Sequence, residues 1–323
     1  MGINLTNNFY SPLRYPGGKG KLSHYIQLLI EYNLLIDGHY VEPYAGGASV
    51  ALSLLFNEYV RTIHINDFDY RIYCFWHSVL FDTENLCDKI SKTSIDIKNW
   101  LIQKEIQKNP KNYNQLEIGF STFFLNRTNR SGILKAGVIG GKSQNGKWKL
   151  DARFNKEELI KRIRRISRYK NRIKLYNKDA LELTIQLSKT LPSKTLFYFD
   201  PPYYKKGKDL YINFYEHADH LQISKLIKKL TNKYWLVSYD NNVNIREFYK
   251  PFLQRTYELN YHAGIAKKGT EILIFSDNLI VPELLNPTDK NEIRRIEEKG
   301  LSSNWIESRN TVPNTAYKSL GSK

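Results

Sequence analysis

An acid, two prolines and a tyrosine, Asp200-Pro201-Pro202-Tyr203, stand directly after the apolar run Thr195 to Phe199. The run reads as a strand, and ligands of an open α/β sheet bind beyond the carboxyl ends of its strands. These residue types suit chemistry on an amine. The Asp200 carboxylate and the Pro201 carbonyl can accept hydrogen bonds from N–H groups and turn the nitrogen lone pair toward an electrophile such as a sulfonium methyl. Pro201 and Pro202 fix the backbone so that the acceptors converge. Tyr203 offers a ring face to a flipped base, a contact worth roughly 1–3 kcal/mol. The bland alternative is a Pro-Pro turn ending a strand, with Asp200 as a local cap.

Three other segments weigh against that alternative. Val41-Glu42-Pro43-Tyr44-Ala45-Gly46-Gly47-Ala48-Ser49 joins a strand to a helix, and its glycines allow a tight turn and close approach of a ligand. No lysine follows in phosphate-loop register, so a polar nucleoside-type ligand fits better than a phosphate. At the next strand end, Asn66-Asp67-Phe68-Asp69 supplies acids; Asp67 is the choice for a ribose or amino-acid end, while Asp69 could cap the following helix. Near the start, Leu13-Arg14-Tyr15-Pro16-Gly17-Gly18-Lys19 precedes a helix at Leu22 to Tyr32. Lys19 could pair with a donor carboxylate and Tyr15 could pack on an adenine ring.

The elements that must position these groups alternate. Strands are expected at His39 to Glu42, Arg61 to Asn66, Arg172 to Tyr176, Thr195 to Phe199, Tyr234 to Ser238, Thr256 to Asn260 and Glu271 to Phe275. Helices lie between them at Ala48 to Glu58, Tyr70 to Phe81, Ala180 to Ser188, Asp219 to Leu230 and Ile245 to Tyr249. That alternation argues for a doubly wound, Rossmann-like α/β sheet in two parts, residues 1–82 and 172–282. An insert at 83–171 interrupts it, with helical periodicity over Leu86 to Gln107, Tyr113 to Leu125 and Lys156 to Tyr169. Its stretch Ile133 to Leu150 reads as a β-hairpin or long loop, because Asn145-Gly146 is a strong hairpin turn signal. A polar tail, 283–323, is expected to be part helix (Glu292 to Lys299) and otherwise loose.

The chain has 323 residues and a net charge of +17, an excess that favours polyanionic partners. From Glu84 to Asp179 there are 15 Lys and 8 Arg against 9 acids, so the insert holds most of it. No apolar run reaches the roughly 18 residues of a membrane span, and the polar first residues lack a secretory core. A cytoplasmic protein is expected. Cys74 and Cys87 have the spacing of neither a disulfide framework nor a zinc site and are expected to be reduced.

Together the motifs resemble the Dam-type, or alpha-group, D12 class of DNA adenine-N6 methyltransferases. The matching parts run in that family's order: Tyr15 to Lys19, Glu42 to Ser49, Asp67, an insert with Phe124-Leu125-Asn126-Arg127, and Asp200 to Tyr203. Asp219-His220 and the late strand from Glu271 are also similar. The resemblance implies a class I methyltransferase sheet with a mainly helical target-recognition insert. It implies S-adenosylmethionine as methyl donor, no metal, base flipping, and direct displacement onto the exocyclic amine of adenine in double-stranded DNA. Tyr15, Lys19, Pro43, Tyr44, Gly46, Gly47, Asp67 and Asp200 would then contact the donor, with Asp200, Pro201, Pro202 and Tyr203 at the adenine. Two departures stand out: Ala48 where many members have a second glycine, and Tyr15 where the best-known members have Trp.

In the insert Asn126, Arg127, Arg130, Lys135, Lys142 and Lys147 are the candidate DNA contacts, with Arg suited to guanine and either cation to phosphates. A partner restriction nuclease or defence proteins would suit such an enzyme. His217 is not needed as a general base, since an amine attacking a sulfonium can lose its proton late. Competing readings are an amino-methyltransferase acting on cytosine or RNA, a DNA-binding module with a lapsed site, and a dehydrogenase or NTPase. The last lacks its glycine motifs.

Overall fold

A computed structural model describes residues 10–14, 19–204, 215–261 and 267–300. The strands are β1 Gly38–Glu42, β2 Val60–Asn66, β3 Ile173–Tyr176, β4 Thr195–Phe199, β5 Tyr234–Asp240, β6 Gln254–Tyr261 and β7 Lys267–Phe275. They form one sheet in the order β3-β2-β1-β4-β5-β7-β6. The first five pair in parallel, and β7 runs antiparallel to β5 and β6. The Rossmann-like sheet is therefore the observed architecture.

Strand β4 shows why the sheet sits at the centre. All five of its residues are buried, and alternate side chains feed two cores. Leu196 and Tyr198 join the cluster formed with α1 (Ser23–Tyr32), α2 (Ser49–Phe56) and α3 (Tyr70–Phe81). Phe197 and Phe199 join the other, with Leu183 and Leu187 of α8 (Ala180–Thr190) and Ile223 and Ile227 of α9 (His217–Ile227). The strand order reverses between β1 and β4, which opens a crevice beyond their carboxyl ends, at Glu42 and Asp200.

The insert carries α4 (Thr83–Lys92), α5 (Ile97–Lys108), α6 (Gln115–Thr128) and α7 (Lys156–Ser167). One helical run expected over Leu86 to Gln107 is two helices, because the Asp96 carboxylate caps α5 by accepting from Asn99 N at 2.7 Å. Helix α6 is buried from Ile118 to Asn126, and Phe123 stacks on Phe75 of α3 at 5.8 Å. The insert thus shares the core beneath α1–α3. The helix expected in the tail at Glu292 to Lys299 forms over Lys290–Gly300, and its Ile293 is fully buried in the same core.

Of the two readings of Ile133 to Leu150, hairpin or long loop, the long loop is observed: it is a run of turns joined to α6's end by one isolated bridge, Asn129 with Val138. Positive φ falls at Gly140, Gly141 and Gln144 rather than at Asn145-Gly146. The Gln144 side chain takes over what a strand ladder would do: its amide donates to the carbonyls of Ile139 and Gly141, and its oxygen accepts from Leu150 N.

Candidate active site

A cavity of about 460 Å³ lies in the crevice. Its floor is the turn after β1. Gly46 has φ 47° and Ala48 φ 48°, so the second left-handed residue is the alanine, not Gly47. Two interactions hold this turn: Trp76 donates its indole N–H to Gly46 O at 2.9 Å, and Gly46 N donates to Asp67 Oδ2 at 3.1 Å. The other oxygen of Asp67 accepts from Asp69 N at 2.9 Å. Burial pushes Asp67 up to about 7, with Asp69 adding to the rise. Asp69 itself caps α3 through Arg71 N.

Of the residues assigned to donor and amine, Lys19, Pro43, Tyr44, Gly46, Gly47, Asp67, Asp200 and Pro202 line this cavity. Tyr15 lies outside the described residues. Glu42, Asp69, Asp179 and Asp219 also line it, so among the described residues six acids line the space with Lys19 as the one lysine or arginine. Burial raises Glu42 to about 8 against the hydrogen bonds from Tyr40 and Ala51 N. Tyr44 and Tyr215 form part of the wall, their hydroxyls 2.8 Å apart.

Asp200 follows β4 with its side chain 22% exposed. Ser238 on β5 donates to its Oδ1 at 2.6 Å, and Lys19 Nζ stands 3.4 Å from the same atom. Burial pushes Asp200 up to about 6, against the pull of Lys19 and Ser238. Two side chains of the expected site are already engaged here. Lys19 lines the cavity and donates its ammonium to both oxygens of Glu271, each at 2.9 Å. Tyr203 does not present a free ring face. It is 3% exposed, Lys19 Nζ lies 4.9 Å from its ring centroid, and its hydroxyl donates to Glu271 Oε1 at 2.6 Å. Sequence reasoning had placed Glu271 in a late strand without a role, and Tyr257 and Ser238 carried no local signal.

The family model of the D12 class N6 adenine-specific DNA methyltransferases matches residues 15–263, spanning both halves of the sheet and the insert. The chain belongs to that class. This adenine-specific DNA methyltransferase also resembles the Type II methyltransferase M.MjaIII of Methanocaldococcus jannaschii, with 23% identity over 279 residues, 79% of this chain and 91% of the relative.

The methyltransferase's insert presents its cations unevenly. Arg130, Lys135, Lys142 and Lys147 are exposed, as is Trp148, whose ring lies 5.9 Å from Lys147 Nζ. Asn126 is a correction: it is 1% exposed and turned inward, accepting from Arg14 N at 2.7 Å and donating to the carbonyls of Arg14 and Gly132. Arg127 is half-buried and donates to Arg153 O at 2.6 Å. Burial, then the guanidiniums of Arg14, Arg162 and Arg153, disfavour its charge, an arrangement that an anion would relieve. His217 bonds Tyr204 at 2.7 Å and does not line the cavity. Cys74 and Cys87 are free and buried. Among the described residues no group of three or more His, Cys, Asp or Glu is placed to hold a metal, and no helix is long and apolar enough to cross a membrane.

Proposed function

We propose that the crevice at the ends of β1 and β4 holds S-adenosylmethionine and that Asp200 receives the 6-amino group of an adenine flipped from duplex DNA. The carrying observation is the acidic cavity, with Asp200 among its lining residues and Lys19, the one lysine or arginine among the described lining residues, already neutralised by Glu271. A ligand bearing a sulfonium and an ammonium complements that charge, and the exposed ring of Phe68 at the lining supplies an apolar face for a purine. When bound, the donor supplies an electrophilic methyl.

The chain's own residues orient and neutralise. Asp67, beside the Gly46 turn, accepts from the ribose or the amino-acid end. Asp200, ionised above about pH 6, accepts an N–H of the adenine amine while the Pro201 carbonyl accepts the second. With both N–H bonds turned to acceptors, the nitrogen lone pair faces the methyl, and direct displacement forms the N–C bond as the methyl–sulfur bond breaks and the sulfur leaves as a neutral thioether. The proton leaves late, to Asp200 or to water. Extruding the base costs a few kcal/mol, offset by contacts inside the site.

Double-stranded DNA meets the basic insert. The exposed Arg130, Lys135, Lys142 and Lys147, and the Arg14, Arg153 and Arg162 guanidiniums grouped around Arg127, supply the cationic contacts. Similarity to the Type II methyltransferase of M. jannaschii supports a restriction–modification setting with a partner nuclease.

The test is Asp200→Ala. Methyl transfer to DNA should fall at least 1,000-fold, on the order of the loss for a positioned catalytic acceptor, while donor binding by calorimetry stays within about twofold. Retained turnover overturns the assignment. Nucleoside analysis of DNA treated with the wild-type protein should yield N6-methyladenine.

A further inference from the structure

A second set of buried groups lies behind Asp200, outside the contacts just assigned to substrate. Glu271 on β7 is fully buried and accepts from four donor contacts: Lys19 Nζ at both oxygens, Tyr203 OH at Oε1, and Tyr257 OH at Oε2 at 2.5 Å. Lys19 Nζ also lies 3.0 Å from the Tyr203 hydroxyl. Burial by itself would push the Lys19 ammonium down, yet Asp200, Tyr203 and Glu271 hold it well above the ordinary lysine range. The ammonium is therefore charged, and two carboxylates compete for it: Glu271 at 2.9 Å and Asp200 at 3.4 Å.

We propose that Lys19 and Glu271 act as positioning residues that set the charge on Asp200, with Tyr203 and Tyr257 fixing Glu271 in place. This rests on the reading of Asp200 as the amine acceptor. Among the described residues, the groups facing Asp200 come from every packed element. Tyr40 and Glu42 lie on β1, Tyr198 on β4, Ser238 and Tyr239 on β5, Glu271 on β7, and Lys19 on the 3-10 turn Lys19–Leu22 before α1. Burial keeps the three tyrosines protonated and raises Glu42 to about 8, so at neutral pH it is mainly uncharged. Within this set the balance falls to one cation and one anion. Lys19 favours the Asp200 carboxylate, Glu271 disfavours it, and Glu271 also draws the ammonium away from Asp200. The pair thus tunes a carboxylate that sequence motifs place alone.

The experiment follows kcat/KM for duplex DNA against pH at saturating donor, with melting curves to show each variant folded. Wild type should lose activity on the acid side near pH 6. Glu271→Gln leaves Lys19 wholly to Asp200 and should move that limb about one pH unit lower; Lys19→Met should move it about one unit higher. Glu271→Asp, which keeps the charge, should leave the limb in place even if turnover falls. The double variant Lys19→Met/Glu271→Gln carries no unpaired charge and is the one to use if a single variant does not fold. Its limb should lie above wild type and below Lys19→Met, because the pull of Lys19 exceeds the push of Glu271. Limbs that stay still, or that move in the same direction in both single variants, overturn the proposal. If Asp200→Ala retains turnover, the catalytic reading itself has failed; if it is inactive while the limbs stay still, only the tuning pair has.

Discussion

The cavity beside Asp200 and the loop of the insert present opposite physics within one chain. Around the cavity, acids predominate, most polar groups are buried, and hydrogen bonds hold each one: Glu271 accepts from a lysine and two tyrosines, Asp67 from two backbone N–H groups. In the loop, cations predominate and Lys135, Lys142, Lys147 and Trp148 stand in solvent. On the proposed function, a cationic donor and a polyanionic substrate call for these opposite fields. Preorganised chemistry wants a desolvated, rigid frame, whereas contact with a long polyanion wants exposed charge whose strength varies with salt.

Several changes would break or sharpen that contrast. Asn126→Ala has the largest expected effect after loss of Asp200. It removes two hydrogen bonds joining Arg14 to the insert and a third, buried one to Gly132 O within it, and should lower stability by about 3 kcal/mol in denaturant titrations. A loss of DNA binding without loss of stability would instead return Asn126 to the DNA surface. Replacing Arg127 and Arg130 together with Ala should weaken DNA binding and make the salt slope shallower by about 2, without changing donor affinity. An unchanged slope would move the DNA surface elsewhere.

The third test concerns protons in the cavity. Asp67 has a raised value near 7, so it takes up a proton as pH falls below that point and no longer offers a charged acceptor. Donor affinity should therefore weaken below about pH 7, by at most about tenfold per pH unit. Asp67→Asn should bind the donor less tightly and with a flatter pH profile, as read by calorimetry. Stability runs the opposite way with pH: the raised Asp67 and Glu42 groups favour the folded state most below their ordinary values near 4, and that contribution is lost as pH rises through about 7 and 8.

Smaller effects follow. Trp148→Ala should cost about 1 kcal/mol of DNA affinity if its exposed ring stacks on or packs against DNA, and nothing in donor binding. Ala48→Gly should raise stability by up to about 1 kcal/mol, because the alanine occupies a left-handed conformation that glycine adopts freely. A drop in stability would mean that the Ala48 methyl's packing outweighs its strain.

Much of the frame was legible because its signals are local. The ends of α3 and β4 coincide with the expected runs Tyr70 to Phe81 and Thr195 to Phe199, since apolar periodicity and flanking acids act over a few residues. The break before α5 was written in Asp96 as a helix cap and was overridden by periodicity on both sides. The hairpin failed for a different reason. Asn145-Gly146 is a permissive turn, but a hairpin also needs flanking strands to pair, and the Gln144 side chain satisfied the backbone groups first.

From the linear chain alone came the α/β alternation, the acid at the tip of β4, the glycine turn after β1 and the basic insert, because each is a property of neighbours in sequence. The partners of those residues were decided by the folded chain. Lys19 is 252 positions from Glu271 and 184 from Tyr203, and only the parallel order of β1 and β4 and the antiparallel insertion of β7 bring them together. In a desolvated site the nearest opposite charge governs where a lysine points, and nearness there is a matter of sheet order rather than of sequence.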